Sequence, residues 1–115
     1  YLYEAAAHSS QRISPRLLKH LYSHGVAVAT DERIYGDHNM GGVVRYGMDS
    51  TNCSYQGVRA FSDAILQRFT SLTVVSETLT AWPIDERVRV QREVVKGALG
   101  VLRELREEIS LGSGL

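Results

Sequence analysis

"GDHNMGGVVRYGMDSTNCS" (residues 36–54) holds four of the chain's ten glycines, one of its four histidines and its only cysteine. Such a stretch is either a catalytic loop or the turn, return strand and junction of a β-hairpin, and the choice decides the fold. The hairpin accounts for more of it. Glycine, Asp and Asn in "YGDHNMGG" (35–42) tolerate turn dihedrals, and "VVRYGMDS" (43–50) is strand-like. Upstream, "VAVATDERI" (26–34) starts β-branched and alternates, which predicts the first hairpin strand.

Working outward, residues 2–12 contain the run Ala5 to Ala7 and have helical propensity, interrupted at Ser9 and Ser10. Ser14 followed by Pro15, the stripe Leu17, Leu18 and Leu21, and Gly25 beyond it predict a helix over 15–24 with a left-handed terminator. After the hairpin, Val58, Phe61, Ile65, Phe69 and Leu72 recur in steps of three and four, predicting a helix over 54–72. "LTVVSETLTAW" (72–82) reads as a third strand.

The strongest periodicity lies in residues 84–111. With Val88 at heptad position a, Val95, Leu102 and Ile109 also fall at a, while Ile84, Gln91, Ala98 and Leu105 fall at d. Val94, Leu99 and Val101 widen this stripe. Asp85 and Glu86 suit the positive end of a helix dipole, and Glu86 with Arg89 and Glu93 with Lys96 are acid-then-base pairs three apart. The order α-β-β-α-β-α predicts an α+β domain over 1–111: a small, mainly antiparallel three-stranded sheet packed by helices, with a long C-terminal amphipathic helix. The tail "GSGL" (112–115) reads as disordered.

Composition narrows the function classes. Thirteen basic side chains balance 13 acidic ones, so no global field draws the chain onto nucleic acid or an anionic membrane. No apolar run reaches the roughly 18 residues of a membrane span, and "YLYEAAAHSS" (1–10) has neither the basic start nor the apolar core of a signal peptide. A single cysteine forms no internal disulfide, which fits a reducing compartment, cytoplasmic or within an intracellular assembly.

Four chemistries can be weighed. Cys53, just before the helix expected from residue 54, is a candidate nucleophile with His38 as base and Asp49 as orienting acid. No spacing ties the three together, and a small residue at a strand-helix junction explains Cys53 as well. Asp37 with His38 offers only two metal ligands, and His20 with His24, spaced i, i+4 on one helical face, lack a nearby Glu motif, so no metal and no cofactor are expected. Gly41 and Gly42 lead into a strand without phosphate-loop spacing. "NCS" (52–54) matches a glycosylation triplet but has no secretion signal beside it. Arg12, Arg16 and Lys19 make a basic N-terminal patch for nucleic acid, favoured less than a solvated helix face.

The C-terminal helix carries the main functional expectation. Its stripe is longer than short strands can cover, and Gly97 and Gly100 inside it, each costing roughly 1 kcal/mol relative to alanine, make sense if another backbone packs close. The chain is expected to be a non-catalytic structural subunit that assembles with itself or with other protein subunits. Its contacts would be Val88, Val95, Ala98, Leu102, Leu105 and Ile109, and an open sheet edge. A small enzyme or ligand-binding domain using Cys53 and the 36–54 region, and a nucleic-acid-binding accessory domain, are the alternatives.

Overall fold

The structure is a computed structural model in which residues 1–47 and 70–113 are described. It is a small α+β fold. Two compact units are formed from interleaved stretches of chain: Tyr1–Ser14 with Val28–Glu77, and Pro15–Ala27 with Thr78–Leu115.

The first unit is built on a three-stranded sheet of β1 (Leu2–Ala6), β4 (Val43–Gly47) and β5 (Leu72–Ser76), with β1 in the middle. β1 pairs antiparallel with β5, Leu2 facing Ser76, but parallel with β4, Leu2 facing Val43. The sheet is therefore mixed and not mainly antiparallel. A parallel pair needs a long crossover, and the more than 35 residues between β1 and β4 supply it.

The central strand occupies residues for which the alanine run predicts a helix. Hydrogen bonding on both sides and burial of Leu2, Glu4, Ala5 and Ala6 outweigh a propensity difference of a few tenths of a kcal/mol per residue. A 3-10 turn at Ser9–Gln11 follows it.

The expected hairpin between 26–34 and the run from Val43 does not form, because β4 pairs with β1; a tighter and earlier hairpin stands in its place. β2 (Arg33–Ile34) and β3 (Asp37–His38) are joined by Tyr35 and Gly36, whose φ values of 49° and 88° are those of a type I′ turn. Residues 26–32 form no strand. Asn39 organises them instead: its buried amide donates to the carbonyls of Ala29 (3.1 Å) and Asp31 (2.7 Å), and its Oδ1 accepts from Gly42 N–H at 2.9 Å. Gly42 has φ 104°, and a Cβ there would lie 2.9 Å from Cβ of Val28. Turn geometry and close approach thus account for this glycine.

The second unit contains α1, which spans Ser14–Ser23 and has its first residue in the other unit, and α2, Ile84–Ser113. Gly25 ends α1 as expected, with φ 68°, a Gly25 N–H bond to Tyr22 O and a Val26 N–H bond to Leu21 O, the two bonds of a Schellman motif. α2 begins at Ile84, as the periodicity predicts, and runs through Ser113. The helix expected over 54–72 lies outside the described residues apart from its end, where Leu72 opens β5.

The N-terminus of α1 departs from its reading as a serine cap. Glu4, fully buried on β1, accepts the N–H groups of Ile13 and Ser14 on Oε2, both at 2.8 Å, and the Ser14 hydroxyl on Oε1 at 2.6 Å. Arg12 Nη1 lies 3.3 Å from the same Oε1 and Arg45 Nε 3.7 Å from it. A strand carboxylate thus satisfies donors that a helix start leaves unpaired, with two cations offsetting its charge.

Candidate functional site

α2 carries two apolar stripes. Val90, Val94, Gly97 and Val101, in steps of four, three and four, form a buried one. α1 packs on this face: a Cβ added to Gly97 would lie 2.6 Å from His20 Cδ2 and 2.8 Å from Leu17 Cδ1. The helices run antiparallel, since Arg16 pairs with Glu104 and Glu108 while His20 and His24 face Glu93. Gly97 is therefore a close-approach glycine, but the approach is by the His20 and Leu17 side chains of α1 in the same chain and not by the expected backbone.

The second stripe is the a row of the heptads, and it faces outward. Val88 is 49% exposed, Val95 59%, Leu102 46% and Ile109 72%, and Ile84 and Leu99 are exposed beside them. The d residues Gln91, Ala98 and Leu105 are half-buried, between the two stripes. At 3.6 residues per turn, the a/d seam lies roughly a quarter-turn from the face that packs on α1. Near its N-terminal end the seam forms a shallow groove lined by Thr78, Ile84, Val88, Gln91, Arg92 and Val95. A Cβ added to Gly100 would meet no atom within 4 Å among the described residues.

The charges of α2 are unevenly used. Glu86 binds Arg89 at 2.7 Å, and Arg16 binds both oxygens of Glu108, at 2.9 and 3.1 Å. Those guanidinium bonds hold the Glu86 and Glu108 carboxyls below their ordinary values. Arg92, Arg103 and Arg106 make no ion pair among the described residues.

The other expected site residues are scattered over different environments. Arg12 is buried against Glu4 and donates to Tyr46 O at 2.7 Å, so its guanidinium is committed within the first unit. Arg16 is engaged by Glu104 and Glu108, and Lys19 is exposed. His38 is exposed on β3, opposite Arg33, and Asp37 accepts from the Tyr46 hydroxyl at 2.5 Å. Cys53 and Asp49 lie outside the described residues.

Sequence reasoning finds two histidines with metal-ligand spacing but not their third partner. Glu93, separated from His20 by 73 positions, lies 3.1 Å from its Nε2. Burial pushes the Glu93 carboxyl up, but the hydrogen bond to His20 and the charges of Lys96 and His24 outweigh this and hold it below the ordinary value. The heptad phase is a faint signal for this face, because it places Glu93 at f, away from the a/d seam. No helix among the described residues is long and apolar enough to cross a membrane. Comparison with protein-family models, curated proteins and solved structures gives no match to this chain.

Proposed function

We propose that this chain is a structural subunit that assembles with a second copy of itself through the a/d seam of α2. The observation that supports this reading is the exposure of Val88, Val95, Leu102 and Ile109 at strict seven-residue spacing, while a different stripe of the same helix packs on α1. A strict heptad is what a two-helix seam requires.

The pattern is also self-complementary in one orientation. In an antiparallel pair, a residues meet d residues. One register then sets Ile84 against the partner's Ile109, Val88 against the partner's Leu105, Gln91 against the partner's Leu102 and Val95 against the partner's Ala98. The same register brings Asp85 beside the partner's Arg106 along the flank. All four layers and the charge pair repeat by twofold symmetry, as an isologous dimer demands. With α1 a quarter-turn away, two such hairpins give the neighbour geometry of a four-helix bundle.

Sedimentation equilibrium tests the association: the chain has twice its monomer mass, and Leu102→Glu returns it to one. A wild-type chain that stays monomeric at the highest concentration it tolerates sinks the reading. Orientation is tested by disulfide trapping in a Cys53→Ser background. Ile84→Cys and Ile109→Cys chains cross-link when mixed and not when either is oxidised alone, whereas a parallel pair gives the opposite result.

A further inference from the structure

We propose that His20, His24 and Glu93 form a binding site for one divalent transition-metal ion of the zinc class. The three lie within the second unit, on facing sides of α1 and α2, and their donor atoms all fall within 4.8 Å of one another. The inference is independent of self-association.

Each ligand is positioned by an identifiable contact. His20 and His24 sit one helical turn apart with rings stacked at 4.1 Å between centroids, and both present Nε2 to Glu93 Oε2, at 3.1 and 3.8 Å. On His24, Nδ1 lies 2.8 Å from the carbonyl oxygen of His20. A carbonyl only accepts, so Nδ1 carries the hydrogen, and whenever the ring is neutral its lone pair is on Nε2. This backbone contact is the one that commonly fixes the tautomer of a metal-bound histidine. Glu93 is nearly buried, and Lys96 Nζ sits 3.5 Å from Oε1, which leaves Oε2 for the histidine side.

With the ring neutral, His24 Nε2 and Glu93 Oε2 face each other as two lone-pair atoms at 3.8 Å in a site that already holds a second imidazole. A cation between them, a proton or a metal ion, relieves that opposition. A proton on His24 meets one contact; an ion accepts all three donors. Imidazole with carboxylate suits zinc, cobalt, nickel or copper better than calcium or magnesium, which prefer all-oxygen sets. Bonds of about 2.0–2.2 Å to a tetrahedral ion place donors roughly 3.4 Å apart. The observed 3.1 and 3.8 Å straddle that value, so closure needs only side-chain adjustment. Three protein ligands leave a fourth position for water or another donor.

Gly97 explains why the site can exist. It lies one turn beyond Glu93 on the buried face of α2, and the His20 ring occupies the space that a Cβ would need. A side chain here would push the first imidazole away from the carboxylate.

The test is calorimetric titration of Zn²⁺ into the full chain, with the visible absorption of bound Co²⁺ as a measure of ligand geometry. One equivalent of zinc is expected to bind, with a tetrahedral cobalt spectrum. His24→Ala and Glu93→Gln are expected to weaken binding by roughly 100-fold or more, beyond the 10- to 100-fold typical of losing an outer-shell partner. His24 is half-exposed, so His24→Ala should fold, and helical circular dichroism checks that it does. Replacing the exposed His8 and His38 should leave affinity unchanged. Zinc affinity equal in the wild type and a His20→Ala/His24→Ala variant overturns the proposal, and so does loss of binding on replacing His8 or His38. A wild-type chain that takes up no zinc shows that a proton alone bridges the pair and overturns it too.

Discussion

Glu4 and Glu93 are both glutamates largely removed from solvent, yet the two units surround them in opposite ways. Around Glu4, two backbone N–H groups and a hydroxyl converge on the carboxylate, with Arg12 and Arg45 supplying positive charge. Around Glu93, no backbone donor among the described residues reaches the carboxylate, which meets two imidazoles and a largely exposed lysine. A carboxylate with its lone pairs filled by the fold holds structure together. One that shares a single oxygen between titratable rings keeps capacity for something else. The contrast separates a structural glutamate from a binding glutamate on hydrogen bonds alone.

Substituting alanine at each position tests the contrast most severely. Glu4→Ala leaves the N–H groups at the start of the helix without their acceptor and takes the carboxylate from Arg12 and the half-buried Arg45, and should lower the unfolding free energy by roughly 3–5 kcal/mol, seen as a large drop in urea midpoint. The same change at Glu93 should cost distinctly less. Equal losses would mean that both carboxylates are structural.

The two glycines of α2 sharpen the picture of the second unit at a smaller scale. Gly97→Ala drives a methyl into Leu17 and His20 and should destabilise by about 1 kcal/mol, overpacking of roughly 2 kcal/mol being offset by better helix propensity. Gly100→Ala meets nothing and should stabilise by about 1 kcal/mol, raising the urea midpoint. Effects of the same sign at both would contradict the close approach at Gly97.

The smallest effect is set by pH. Arg16 depresses the Glu108 carboxyl below its ordinary value of 4.5, so this pair contributes stability above pH 4.5 and loses it as the pH falls through the depressed value. Both side chains are largely exposed, so the loss is slight, and Arg16→Gln should flatten that part of the pH–stability curve.

These residues also show what the sequence could disclose. Both described helices were legible, because their signals are local: Ser14, Pro15 and Gly25 bracket one, and the heptads mark the other. β4 and β5 were legible from their β-branched runs, although the strand expected over 72–82 ends at Ser76. β1 was not, since "LYEAA" has helical propensity and becomes a strand only because two distant segments pair with it. The 26–32 segment misled in the other direction, its strand-like start being held by the Asn39 side chain and not by a ladder. For the candidate sites, the a row was visible as a pattern, while its exposure and the arrival of Glu93 beside His20 depend on how α1 packs on α2.

The interleaving of the two units has a consequence for biogenesis. β1 is the first of the three strands to be synthesised, yet it lies in the middle of the sheet and needs β4 and then β5 on its two sides. α1, made soon afterwards, waits for α2, whose stretch of chain is made after β5. Neither unit can close until β5 and then α2 have been made, and contacts of such long sequence separation form slowly. The nascent chain therefore holds an unpaired central strand and an uncovered helix face together, the period in which a holding chaperone has most to protect.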